Sequence, residues 1–324
     1  MHISALYVYP IKSARGVACP SATLTSSGLS LDRLFMVTRS DNGKFITARQ
    51  IPKMALVVPS LPLEAFVGDD NTITPASVMV VNAPDMPSLE IPIVRASDSD
   101  EVLRSVTIWE WSGLAADEGD KAADWFSKFL GIPCRLTRYL GSAEGNPILA
   151  KNTGNAEPVM ASTDRVRSAD HEYAPDGFET RFSDGYPCLL ANEASIQDLS
   201  ARAGCDLPMS RFRPNIVVSG ATPWDEDNWG KVFVQTKNGQ QVEFSSVKPC
   251  SRCKMTTIDP ETAEVGEEPL EILGSFRSGA KLGWDREKSW KHSVFFGWNV
   301  VSKQHGLCLS VGDKLEVQPQ LLNF

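Results

Sequence analysis

The chain is poor in the residues that hold simple metal sites. It has four histidines in 324 residues, and only one pair of cysteines lies close in sequence, Cys250 and Cys253. A structural zinc needs four ligands, and His2, His171, His292 and His305 show no finger spacing to complete such a set. Seven cysteines, an odd number at irregular spacing, make no disulfide framework and fit a reducing compartment. No run of about 18 apolar residues occurs, so no transmembrane helix is expected. The N-terminus, MHISALYVYPIKS, enters a strand pattern at once. It lacks the charged start and apolar run of a signal peptide, and the Arg- and Ser-rich pattern of a transit peptide. The cytoplasm is the expected address. Excess positive charge is missing too. A net charge of −8 argues against nucleic acid as a general partner, while a local basic pocket for one small anion remains open. There is no internal repeat and no low-complexity tract. With 42% hydrophobic and 22% charged residues, the composition is that of a soluble globular protein, long enough for two domains or one large β domain.

What is present is a series of short strands. His2–Tyr9 alternates and Pro10 stops it, followed by the loop Ile11–Gly16 with two cations, a hydroxyl and a glycine. Ala22–Thr25 reads as a strand. Leu34–Thr38 and Phe45–Ala48 flank Asn42-Gly43, a strong hairpin signal. Leu56–Val58, Ser77–Val81, Leu89–Ile93 and Val102–Trp109 continue a small β domain. Ala116–Leu130 has one apolar face and predicts a helix, ended by Gly131 and Pro133, and Cys134–Leu140 a return strand. Gly141–Thr180 is polar and aperiodic, the expected inter-domain loop. Beyond it come the strand Cys188–Leu190, a helix Glu193–Ala203 capped by Asn192, and the strand Ile216–Ser219. A hairpin follows, Val232–Gln235 and Gln241–Ser246 around Asn238-Gly239. A short helix Leu270–Phe276, a central strand Ser293–Val301 and a closing turn and strand from Val311 complete the pattern. The expected architecture is α+β and mainly β. Residues 1–140 form a small β domain with a helix, and residues 141–324 a linker and a β-barrel.

The stretch Val247–Pro260, VKPCSRCKMTTIDP, is the chemical centre. Arg252 lies between its two cysteines and Lys248 and Lys254 flank them. Nearby cations raise the thiolate fraction, and thiolates suit soft or high-valent metals. A thioredoxin-type dithiol would sit between strand and helix, whereas Met255-Thr256-Thr257-Ile258 reads as strand. Two readings stay open, a single metal-binding thiolate in a basic loop or two buried structural cysteines. The five other cysteines carry no motif and read as core residues.

In order along the chain stand Tyr9-Pro10-Ile11-Lys12-Ser13, Asp32-Arg33, Thr47-Ala48-Arg49-Gln50, Asp184-Gly185-Tyr186-Pro187 and Phe212-Arg213-Pro214-Asn215-Ile216-Val217. Trp224 with Glu226-Asp227 and Trp229 follows, then the cysteine loop and Gly312-Asp313. Each piece alone is weak; their number and order resemble the MOSC superfamily, in the branch of the mitochondrial amidoxime reducing component and its bacterial relatives. The resemblance covers nearly the whole chain. It implies a molybdenum cofactor held at a β-barrel domain, with Cys253 as the protein ligand to molybdenum. Lys12, Ser13, Arg33, Arg213 and Asn215 then match positions that hold the pterin and its phosphate. Ser251, Arg252 and Gly185 line the cofactor, and Asp184 matches an acidic residue close to the metal, placed to orient an oxygen or pass a proton.

Chemistry of the residue types agrees. Arg offers a planar fork for phosphate and Lys a point charge, while Asn215 can donate to and accept from a ring edge. Arg15 and Arg49 fit a cofactor role or a solvated surface about equally, and Cys250 reads as a packed thiol beneath the loop. The implied activity is reduction of N-hydroxylated compounds such as amidoximes, with electrons from a separate haem or flavin carrier, by a monomer without a membrane span. The alternatives are a cofactor carrier or sulfuration module without reductase activity, and a barrel that binds without catalysis.

Overall fold

The computed structural model describes residues 1–66, 73–94, 102–142, 165–175, 177–284 and 288–319. Alternation at the N-terminus produces a strand, His2–Val8, with Ile3, Leu6 and Val8 buried. Its partners lie far away in sequence. It pairs antiparallel with Ile216–Ser219 and, at His2, with Lys314 of the strand Lys314–Pro319. These pairings close a seven-stranded barrel. Around it run Ile216–Ser219, Cys188–Asn192, Val294–Val301, Gln241–Arg252, Trp229–Gln235, Lys314–Pro319 and His2–Val8. All neighbours are antiparallel except Cys188–Asn192 and Ile216–Ser219. A parallel pair needs a crossover, and the helix Glu193–Ala203 between them supplies it. Ile3, Leu6, Leu190, Val232, Phe244 and Trp298 share one apolar core inside.

The architecture is thus α+β and mainly β. Residues 2–29, early in the chain, build barrel wall and edge: Val17–Cys19 pairs with the first strand, and Ser21–Thr25 with Leu307–Ser310. The rest of the N-terminal half makes two smaller sheets. One orders Phe35–Arg39, Cys134–Tyr139, Trp111–Asp117 and Leu103–Ile108; the other orders Val58–Ser60, Val78–Asn82 and Leu89–Pro92. The helix Asp120–Leu130 buries Trp125 and Phe126 against them.

Local expectations fail in three places, each for a physical reason. The helix begins at Asp120 rather than Ala116, because Ala115, Ala116 and Asp117 pair with neighbours on both sides of the sheet. Gly119, at φ 86°, makes the break. Phe45–Ala48 makes only the start of a hairpin arm. The turn at Asn42-Gly43 forms, Phe45 bridges Thr38 and Ile46 N donates to Val37 O, and on its other side the chain bonds to Thr107 through Gly43 O and Phe45 N. Lys254–Thr257 is a 3₁₀ turn and not a strand. The hydroxyls of Thr256 and Thr257 donate to the carbonyls three residues back, Cys253 and Lys254, a local bond that competes with extended backbone. Most of the expected loop Gly141–Thr180, residues 143–164 and 176, lies outside the described residues.

The helix cap holds as expected. Asn192 accepts from Ala194 N, and Gly204 closes the helix in the left-handed region. Glu226, 1% exposed, accepts from Asn192 Nδ2 at 3.0 Å and Ser195 Oγ at 2.8 Å. Burial, helped by the nearby Asp227 charge, pushes its carboxyl from 4.5 up to about 7. The folded protein keeps this proton where the unfolded chain has lost it. The stability it contributes is therefore complete below the ordinary Glu range and lost as pH rises through about 7. Glu226→Gln should flatten that slope and be more stable than wild type at pH 8 by roughly 1–3 kcal/mol, measured by urea unfolding. An unchanged slope between the two proteins would show that Glu226 does not carry it.

Candidate functional site

All ten expected site residues, Lys12, Ser13, Arg33, Asp184, Gly185, Arg213, Asn215, Ser251, Arg252 and Cys253, line one cleft holding about 850 Å³ of empty space. Its walls are the segments that follow the first strand, precede Cys188–Asn192 and Ile216–Ser219, and end the strand Gln241–Arg252. Tyr9 is its buried platform. The guanidinium carbons of Arg33 and Arg213 lie 4.1 and 4.3 Å from the Tyr9 ring centroid, an arrangement each cation gains from. The Tyr9 hydroxyl donates to Pro214 O at 3.2 Å. Gly16 lets the ring sit there, since a Cβ at that position would stand 2.5 Å from a ring carbon. Asp32, also buried, accepts from Tyr9 N at 2.7 Å and Arg33 Nη1 at 3.0 Å.

Ser13, Arg33 and Arg213 have φ of 68°, 51° and 57°, a region uncommon for residues other than glycine. Such strain persists only where the surroundings over-determine it, and it gathers at functional sites. Two buried arginines missed by sequence reasoning help to impose it. Arg181 Nη1 donates to Leu29 O at 2.7 Å and Asp32 O at 2.9 Å. Arg167 donates to the carbonyls of Arg181, Ser183 and Asp184 at 2.8, 2.6 and 2.5 Å. They fix the backbone that carries Asp32 and Asp184. No motif marks them, and each stands in a polar stretch where an Arg reads as surface.

Electrostatics set the roles. Lys12 Nζ donates to Phe182 O at 2.9 Å and Asp184 Oδ1 at 2.7 Å. Burial pushes the Lys12 ammonium down to about 8 against the pull of Asp184. Desolvation by the cleft wall opposes the charge of Asp184, but Lys12, with Arg33 and Arg49 behind it, outweighs this and holds the carboxyl well below the usual range although its side chain opens to solvent. At neutral pH Asp184 is therefore an acceptor, with the Lys12 ammonium as its bonded neighbour. Burial, reinforced by Arg33, pushes Arg213 down to about 9, so it stays charged at pH 7. Asn215 lines the cleft and also joins two barrel strands. Its amide accepts from Leu189 N at 3.1 Å and donates to Tyr7 O at 3.2 Å, leaving one N–H without a described partner.

The strand Gln241–Arg252 extends through Cys250, bulging on both sides of Pro249. Cys253 follows at its end, exposed. Cys250 does not lie packed beneath the loop; it is half-buried and lines the same cleft, its thiol pushed up by burial. Of the five other cysteines, Cys19, Cys134 and Cys188 are buried, while Cys308 is half-buried and Cys205 exposed. Cys188 also lines the cleft.

Among the described residues, three buried guanidinium nitrogens in the lining have no hydrogen-bond partner: Arg213 Nη2, Arg252 Nη2 and Arg211 Nε. Leaving a buried donor unmet costs about 1–3 kcal/mol, more for a charged one, so this donor set calls for an anion. Arg211 was not foreseen; its other nitrogens reach Asp259 Oδ2 at 2.8 Å and Thr256 O at 3.4 Å. Among the described residues no three His, Cys, Asp or Glu side chains gather into a metal site. No described helix is long and apolar enough to cross a membrane.

Two family models match the chain, the MOSC N-terminal beta barrel domain over residues 1–133 and the MOSC domain over residues 178–316. Mitochondrial amidoxime reducing component 2 of Bos taurus is 32% identical over 318 residues, covering 96% of this chain and 81% of that protein. Mitochondrial amidoxime-reducing component 1 of Mus musculus is 32% identical over 284 residues, covering 85% and 71%. The Homo sapiens component 1 is 30% identical over 316 residues, covering 96% and 81%.

The unmet donors give a direct test. Inorganic phosphate should raise the melting temperature of the cofactor-free protein. At a hundredfold excess over its Kd the gain is about 2.7 kcal/mol, which is several degrees for a chain of this size. Arg213→Ala should lose at least half of that shift, and Arg213→Lys should recover part, because an ammonium has no fork. An equal phosphate shift in all three proteins would remove Arg213 from the anion site.

Proposed function

Because the chain belongs to the family of MOSC-domain proteins that includes the mitochondrial amidoxime reducing components, we propose that it is a molybdenum-cofactor-dependent reductase of N-hydroxylated compounds. One observation carries the reading: a cleft rich in cations, with unmet guanidinium donors, opens beside an exposed cysteine. A pterin dithiolene with a terminal phosphate is anionic, and the donor set fits it. Arg33 and Arg213 offer forks to the phosphate, with Ser13 and the remaining Lys12 N–H beside them. Ser251, Arg252, Gly185 and the free Asn215 N–H face the pterin, and Cys253 is the thiolate ligand to the metal. When bound, the cofactor supplies two-electron chemistry able to take the oxygen from an N–O bond.

The chain's own groups orient the substrate and handle protons. Reducing R–NH–OH to R–NH₂ and water takes two electrons and two protons. Lys12 Nζ, pushed down to about 8, is the proton-holding atom, and Asp184 Oδ1 touches it at 2.7 Å. The ionised Asp184 accepts a hydrogen bond from the substrate's nitrogen. Electrons would come from a separate donor protein, a haem or flavin carrier.

Cofactor-loaded protein should reduce benzamidoxime anaerobically with reduced viologen; no turnover of any N–O substrate by a fully loaded sample would sink the proposal. Cys253→Ala should abolish reduction while keeping much of the pterin, which the phosphate and ring contacts still hold. Cys250→Ala should stay active. If the two variants behave the other way round, the ligand is Cys250.

A further inference from the structure

The cofactor reading does not account for the mouth of the cleft. Asp184 is the most open acceptor there, its side chain 75% exposed. Lys12 and Trp109 bond to Oδ1, and Oδ2 accepts from no described residue.

Trp109 stands beside it, first of the two residues that join the paired strands Leu103–Ile108 and Trp111–Asp117, and its φ of 51° is that of a tight hairpin turn. Its ring is 36% exposed, where most large apolar groups of this chain are buried. The indole Nε1 donates to Asp184 Oδ1 at 3.3 Å. Phe45 braces the ring at 5.0 Å and 59°. Arg49 lies over it, with Cζ 4.9 Å from the centroid. Arg49 lines the cleft and is exposed, and it makes no hydrogen bond or ion pair with any described residue. A guanidinium is planar and stacks on aromatic rings. One face of Arg49 is on Trp109, and no described ring or hydrogen-bond partner lies on the other.

We propose that Arg49 and Trp109 form a shelf for the flat aromatic part of an N-hydroxylated amidine, whose amino N–H donates to Asp184 Oδ2 while its ring lies on the other face of Arg49. The shelf rests on the reductase reading, because it presumes a cofactor beneath. Arg49 touches the ligand, and Trp109 is a positioning residue that holds Arg49 flat. An aliphatic amidoxime has the same head group and gains only the Asp184 bond, so the shelf sorts substrates by the group attached to the amidine carbon.

Titration calorimetry on oxidised, cofactor-loaded protein without electron donor reads binding apart from turnover. Wild type should bind benzamidoxime about five- to twentyfold tighter than acetamidoxime, the range of one stacked cation. Trp109→Ala and Arg49→Lys should each erase most of that preference. Trp109→Phe, which keeps a ring under Arg49, should restore it. Equal affinities in wild type, or a preference that survives both Trp109→Ala and Arg49→Lys, overturns the shelf. Failure to reduce benzamidoxime, with the binding pattern intact, sinks the reductase reading and leaves the shelf standing.

Discussion

The cleft brings like charges together, and the surrounding structure is arranged to tolerate this. Lys12, Arg33 and Arg213 share one space, with Arg211 and Arg252 on its wall, in a chain whose net charge is −8. Unit charges a few ångströms apart repel by several kcal/mol at the dielectric of a protein surface. Three devices offset that. The Tyr9 ring lies against two of the cations. Asp32 and Asp184 each accept from one of them. Arg167 and Arg181 hold the intervening backbone through carbonyl oxygens, so the left-handed residues cannot relax away. The cations outnumber these two anions, and the surplus donors are the unmet ones. An incoming anion therefore completes the packing of the site as well as its chemistry.

Much of this was legible in the sequence, for reasons that differ by level. The ends of the helix Glu193–Ala203 rest on Asn192 and Gly204, which act within a few residues. The ten site residues were legible only as ordered fragments. Nothing in local spacing brings Lys12 to Asp184, a separation of 172 residues. Where local signals competed, tertiary pairing decided. Ala116 reads as helix but stands opposite Arg138 and Leu103 in a sheet, and Phe45, which bridges Thr38 across the hairpin, also bonds to Thr107, with pairing across the turn ending at Ile46. Thr256 went the opposite way, because a hydroxyl bond to Cys253 O is more local than any strand. Arg167, Arg181 and Trp109 left no mark at all. A buried arginine that binds carbonyls carries the same letter as one in water, and only burial separates them.

The bulged strand that carries the two cysteines links the barrel to the site. Gln241–Arg252 pairs with Val294–Val301 along most of its length. Pro249, which has no N–H to give, is accommodated at the bulge. The strand thereby delivers Cys250 at a bulge within the paired stretch and Cys253 just past the last pair. The two thiols meet the same cleft from different mechanical settings, one in the barrel wall and one on a short 3₁₀ turn.

The way the barrel closes bears on how the molecule comes into being. Its first strand emerges from the ribosome well before its partners, Ile216–Ser219 and Lys314–Pro319. Contacts between the chain's extremes form late and slowly, and domains otherwise tend to mature from the N-terminus during translation. The two small sheets and their helix can assemble first, around Phe35, Met79, Phe126 and Leu136, while the apolar face of His2–Val8 waits for its neighbours. The cleft needs both ends in place, since Lys12 follows the first strand and Arg213 precedes a late one. A nascent chain that has not yet reached Arg252 cannot display it, so an occupied cleft marks a chain whose distant segments have already met.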